Sequence, residues 1–323
     1  MGFIIEKEAV MKQGINDTPN NMNGNKGTNN KGYGNKLGYS IFHFILRHIG
    51  LGGAYGILVL LIPYYVIFRP SVYQCAKPYL QRRFPEDMLM KRYFRLFKYI
   101  FVFGQALVDQ LYFGFVGESK IKLKFDREPE ILDLLRKKPV IFLLSHVGFW
   151  EVSMAGSIRF QRKMNVLVDK NFDKNKRKSF YDVRKSGEGA QFNLINVSDN
   201  YGGMIEATNA LLRGEVIGVT GDRAEEWRTK IVSFLGSPAK FPMIAEQLAV
   251  ATGASVIALF TAKEDRHTIR YSWKDISTEV LDDESLSKDQ KIQKMLELYS
   301  TALENHVQEH PYLWFNFFDF WKI

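Results

Sequence analysis

Cysteine is all but missing from this chain. Its 323 residues hold one, Cys75, which excludes an intramolecular disulfide and a cysteine metal cluster. Histidine is scarce as well. The six (His43, His48, His146, His267, His306 and His310) show no spacing that suits zinc, so no metal is expected, and the sequence calls for no other cofactor. The N-terminus lacks the charged start, apolar run and small-residue cleavage site of a signal peptide. Acidic residues are few early on: positions 1–100 carry 14 Lys+Arg and 5 Asp+Glu, and the rest holds 30 of each. The net charge of +9 therefore lies around the most apolar part of the chain. That placement suits an anionic membrane surface, and no nucleic-acid motif is present to argue otherwise.

What is present changes character along the chain. Residues 13–36 are rich in Asn, Gly and Lys and nearly free of large apolar side chains, so residues 1–36 are expected to form a disordered tail. Residues 37–50 are apolar with polar breaks, and 51–68 (LGGAYGILVLLIPYYVIF) carry no charge. Eighteen such residues reach the lower limit for a membrane span. A half-embedded helix, a buried core helix and a removed signal anchor are the other readings. Residues 81–117 cluster Lys/Arg with Phe/Tyr, as in a helix lying at headgroup level or one packed against a catalytic domain. Residues 37–117 are thus expected to anchor the protein at a membrane.

From 118 to 323 the pattern alternates. Buried strands are expected at 139–146, 165–169, 191–197 and 215–222, with helices over 149–160, 174–186 and 203–213 between them. A loop is expected up to about 241, and Pro242 should open a helix to about 252. A terminal strand pair (ASVIALFTAKE and HTIRYSW), a helix over 288–308 and an aromatic tail complete the chain. The expected fold is α/β, a mainly parallel sheet with flanking helices, preceded by an N-terminal membrane helix.

The strongest local signal is SHVGFWE, residues 145–151. His146 falls where a buried strand ends, the edge at which ligands gather in open α/β sheets. Glu151 follows in the next helix. A carboxylate beside an imidazole fixes its tautomer and favours its charged form, so the pair suits a general base and its orienter. A strand-capping His with an exposed helical Glu fits the same spacing. Ser145 sits in no nucleophile-elbow pattern.

His-x4-Glu after an apolar strand resembles the His-x4-Asp/Glu motif of glycerolipid and lipid A acyltransferases. Three further segments sharpen the resemblance towards the late lipid A (lauroyl/myristoyl) acyltransferases: LLRGEVIGVTGDR at 211–223, FLGSPAKFPMIAEQLAVATGASVIALF at 234–260, and His310-Pro311-Tyr312-Leu313-Trp314. The resemblance covers roughly residues 40–316. It departs where the family often has Asp-Gln-Asp and this chain has Gly221-Asp222-Arg223, and where the tail reads WFNFFDFW. It implies a glycerolipid acyltransferase-like fold and acyl transfer from acyl carrier protein, or acyl-CoA, to a hydroxyl of a membrane lipid. That acceptor would be a lipid A precursor at the cytoplasmic face of the inner membrane. His146 would be the general base and Glu151 its partner. Asp222, Arg223, Gly236 and Pro238 would serve substrate binding.

Residues 159–185 hold ten Lys/Arg against three Asp. Lys174, Arg177, Lys178 and Arg184 are therefore candidates for docking the acidic carrier protein, with acceptor phosphates or plain solvent as the other partners of this basic face. Another acceptor lipid, a thioesterase using the same pair, and a non-enzymatic lipid-binding scaffold are the competing functions.

Overall fold

The computed structural model describes residues 33–116, 121–149, 162–168, 192–197, 202–223 and 227–323. The chain divides into two compact units. One runs to Tyr112 and includes Asn316–Asp319; the other comprises Phe113–Phe315 and Phe320–Ile323.

The first unit is helical: α1 (Tyr33–His48), α2 (Gly50–Phe68), α3 (Pro70–Arg83) and α4, which starts at Leu89 and runs to Val116. Helix α1 begins four residues before Leu37, the expected start of the ordered region. The expected continuous helix over 81–117 is instead two, because the chain breaks between Arg83 and Leu89 around Pro85. Helix α2 is long and apolar enough to cross a membrane. Leu51, Ala54, Leu58, Ile62 and Val66 are buried at helical spacing, so one stripe of α2 packs within the unit. Tyr55 on this helix donates a hydrogen bond to Asp109 of α4. The Tyr99 hydroxyl donates to Asn316 O (3.2 Å) and accepts from Asn316 N (2.9 Å).

The second unit is built on a seven-stranded sheet of order β1-β9-β8-β2-β5-β3-β4. In chain order these are β1 (Lys122–Phe125), β2 (Val140–Leu144), β3 (Met164–Val168), β4 (Phe192–Asn196), β5 (Val216–Thr220), β8 (Ser255–Lys263) and β9 (Thr268–Asp275). All neighbours are parallel except β8 and β9. Strand β2 is central and every residue in it is buried, which is why VIFLL is apolar without a break. Helices α5 (Glu128–Lys137), α6 (Gly202–Leu212), α7 (Ile244–Thr252), α8 (Thr278–Asp282) and α9 (Lys288–Glu309) accompany the sheet. Helix α7 packs on β2, β8 and α9, and α6 on β3, β4 and β5. Ser287 and Gln290 cap the start of α9 reciprocally.

The expected loop before 241 is in fact an antiparallel hairpin, β6 (Thr229–Phe234) and β7 (Ser237–Pro242). Pro242 ends β7, and α7 starts at Ile244. Two prolines are tolerated in β7 because it pairs on one side only. Leu235 (φ 49°) and Gly236 (φ 72°) form a tight turn with both residues left-handed. The Leu235 amide is held by Glu304 Oε2 of α9 at 2.9 Å. The helices expected over 149–160 and 174–186 lie outside the described residues.

Candidate active site

The site grows from the register of two adjacent parallel strands. Leu144, the last residue of β2, pairs with Thr220, the last of β5. His146 and Asp222 each lie two positions further on, so the register alone sets them side by side at the carboxyl edge of the sheet. His146 Nδ1 and Asp222 Oδ1 are 2.8 Å apart. The His146 backbone amide donates to Asp222 Oδ2 at 2.7 Å, and the Trp314 indole N–H donates to the same oxygen at 2.9 Å. The Asp222 side chain is 1 % exposed and that of His146 is 15 % exposed. A sealed carboxylate thus holds an imidazole that still reaches the surface.

The charge on Asp222 survives burial. Desolvation alone would raise its carboxyl, but the His146 ring, the Arg223 charge and the Trp314 hydrogen bond together hold it below the usual carboxylate range. With Asp222 ionised, the proton on His146 belongs on Nδ1, and Nε2 carries the lone pair.

The loop bearing His146 is fixed from three sides. Val147 pairs with Trp314 in an antiparallel bridge, with Phe315 N donating to His146 O (2.8 Å) and Gly148 N to Leu313 O (2.8 Å). Thr261 of β8 donates to Val147 O (3.2 Å) and accepts from Phe149 N (2.8 Å). Gly148 (φ 58°) comes so close to β8 that a Cβ would lie 2.2 Å from Thr261 O. Beneath the site, Leu144 O accepts from Gly221 N (2.8 Å) and from the Tyr299 hydroxyl (2.9 Å). A Cβ on Gly221 would meet Leu143 at 2.6 Å and the Tyr299 ring at 2.9 Å, so only glycine fits before Asp222. The Trp314 ring stands edge-on to Phe234 (5.1 Å) and Phe320 (5.3 Å).

Of the residues singled out from sequence, His146 and Asp222 meet directly. Arg223 follows Asp222 in the chain and acts on it by charge. Gly236 lies in the β6–β7 turn and Pro238 in β7, linked to the site through Phe234 and Trp314. Ser145 is buried. Glu151, Lys174, Arg177, Lys178 and Arg184 lie outside the described residues. Thr261, Tyr299 and the indole role of Trp314 escape a sequence reading. The usable clue was the equal distance of His146 and Asp222 from their strand ends.

A comparison with curated proteins returns no match. The profile of the bacterial lipid A biosynthesis acyltransferases matches residues 39–323, which takes in both units and every residue of the site just described. By this match the chain belongs to the bacterial lipid A biosynthesis acyltransferase family, and it is an enzyme that transfers acyl groups.

Proposed function

We propose that the protein moves a fatty acyl group from acyl carrier protein, or acyl-CoA, to a hydroxyl of a lipid A precursor, with His146 as general base and Asp222 as the residue that positions it. The supporting observation is the 2.8 Å contact between His146 Nδ1 and Asp222 Oδ1 at adjoining strand ends. His146 Nε2 takes the proton of the acceptor hydroxyl as its oxygen attacks the thioester carbonyl. The tetrahedral intermediate collapses with loss of the C–S bond, and the imidazolium returns the proton to the thiolate. No acyl-enzyme is needed, in keeping with the burial of Ser145.

In this reading Asp222 binds no substrate, because its oxygens are engaged by His146 and Trp314. Glu151 acts as a second carboxylate that stabilises the imidazolium by charge. Arg223 meets an acceptor phosphate or the developing oxyanion. Gly236 and Pro238 shape the hairpin that flanks the acceptor. Lys174, Arg177, Lys178 and Arg184 dock the acidic carrier protein, and α2 holds the enzyme at the inner membrane with its catalytic unit on the cytoplasmic side.

The test is an assay of the purified enzyme with labelled acyl carrier protein and acyl-CoA against lipid A precursors, lysophospholipids and amino-lipids. Acyl transfer to the saccharolipid that drops by two or more orders of magnitude in His146→Ala is expected. Full transfer by that variant would overturn the reading. Release of free fatty acid without an acceptor would assign a thioesterase instead.

A further inference from the structure

Helix α4 begins with its apolar side chains outward. Met88 is 82 % exposed, Met90 75 % and Phe94 69 %, with Leu89 and Tyr93 exposed beside them. Leu89, Met90, Tyr93, Phe94 and Phe97 line a shallow groove of about 380 Å³. From Leu96 onward the same helix turns an apolar face inward, through Tyr99, Ile100 and Phe103. The outward patch is therefore confined to its first two turns. Contiguous exposed apolar surface of this kind marks a contact site.

Two observations say what covers it. The first is continuity. Tyr93 stacks on Tyr73 of α3 with ring centroids 5.0 Å apart. Tyr73 follows Phe68, the end of α2, by five residues, roughly 8 Å of helix. That end of α2 exposes Tyr64, Ile67 and Phe68, so an exposed apolar end of the uncharged helix lies within a few residues of the stack that holds the start of α4. The second is charge. Residues 82–98 hold six Lys/Arg (Arg82, Arg83, Lys91, Arg92, Arg95 and Lys98) against Glu86 and Asp87. Asp87 is taken up internally by Lys91 and Arg95. Arg95 also lies over the Phe84 ring at 4.0 Å, which fixes the turn between the helices. Lys91, Phe94 and Lys98 share one face of α4 by their spacing. Large apolar tips between cations, beside an open apolar groove, match the boundary between phosphates and acyl chains of an anionic bilayer.

We propose that the first two turns of α4 and the exposed end of α2 form one lipid-facing edge, with Met90 and Phe94 inserted at the acyl boundary and Lys91 and Lys98 at the phosphates. The edge adds a second membrane contact to the α2 anchor of the reading above, and its test contains no acyl transfer, so its failure leaves the His146–Asp222 reading standing.

The test uses the full chain with Cys75→Ala and one new cysteine at a time: Met90→Cys, Phe94→Cys, Leu60→Cys on α2, or Glu284→Cys in the other unit. Each carries an environment-sensitive fluorophore and is reconstituted with vesicles of phosphatidylethanolamine and phosphatidylglycerol. Labels at 90 and 94 are expected to shift to the blue and to be quenched by brominated lipid, as at 60, while the label at 284 is quenched by aqueous iodide. Adding Lys91→Glu and Lys98→Glu should cut lipid quenching at 94 severalfold, and lowering the phosphatidylglycerol content should do the same. Iodide access at 90 and 94 equal to that at 284 would overturn the proposal. So would protection at 90 and 94 that appears without vesicles and rises with protein concentration, or that requires acyl carrier protein; these outcomes would assign the patch to a second copy or to the carrier.

Discussion

Two regions of the α/β unit each bury a carboxyl completely, and they treat it in opposite ways. At the end of β5, Asp222 receives three N–H donors, from the His146 backbone, the His146 ring and the Trp314 indole. In the first turn of α7, Glu246 is 0 % exposed, and its two side-chain oxygens have no hydrogen-bond partner among the described residues. Desolvation acts on both. It is overcome at Asp222, whose carboxyl stays low, and it prevails at Glu246, whose carboxyl is pushed up to about 8 against only its own backbone amide. Burial therefore does not decide whether a carboxyl is charged; the donors around it do. Tyr299 feels the first region. Its burial, and then the charge of Asp222, drive its hydroxyl well above the ordinary tyrosine range, keeping it a donor to Leu144 O.

The strongest way to break the contrast is to strip Asp222 of its role. Asp222→Ala leaves buried donors unmet and is expected to cost about 3–5 kcal/mol in stability, measured by urea unfolding in detergent. Asp222→Asn keeps the shape but not the charge. It should lose about 10³–10⁴-fold in kcat, as when a catalytic imidazole loses the anion fixing its tautomer, with a smaller stability change. If Glu151→Gln lowers kcat severely and Asp222→Asn leaves it intact, the positioning role belongs to Glu151.

Glu246→Gln sharpens the other half. A raised carboxyl makes the folded state bind the extra proton between the unfolded value near 4.5 and the folded value of about 8. Wild-type stability should therefore decline as pH rises through that window, by about 1.4 kcal/mol per unit at the steepest. The Gln variant should lose this slope and melt above wild type at pH 9, with turnover little changed. An identical slope in both proteins would rule out a protonated Glu246.

Trp314→Phe removes one donor from Asp222 and retains the ring. A loss of about 1.5–3 kcal/mol is expected, with a moderate fall in kcat and little change in KM.

At neutral pH the least change is expected at His306, a buried base whose Nε2 has no hydrogen-bond partner among the described residues. Desolvation, and then the charge of His310, lower it to about 3. The folded state resists protonation there while the unfolded chain accepts it near 6.5, so stability falls as pH drops from 6.5 towards 3. His306→Phe, which keeps the stack on Phe260, should flatten that acid limb in a thermal melt.

The sequence was most readable where its signal is continuous. The unbroken VIFLL run, the helix ends near 213 and 252 and the apolar α2 all lie where the patterns put them. The site was half readable. His146 could be placed at a strand end because that end is marked locally. Its bond to Asp222, 76 positions away, depends on β2 and β5 being neighbours in a sheet whose order no local pattern encodes. Pro238, Pro242 and Gly236 give the β6–β7 hairpin the local chemistry of a loop. The prolines fit because β7 is paired on one side only. No local pattern marks Glu246 as buried; the packing of α7 against β2, β8 and α9 puts it inside.

The pairing of Val147 with Trp314 also sets an order in time. A polypeptide is made from its N-terminus, and Trp314 follows His146 by 168 residues. Until Trp314 has been added and can fold back, the loop carrying His146 lacks its strand partner and Asp222 lacks the indole. A growing chain thus holds the base long before it holds the brace, and activity waits for the brace.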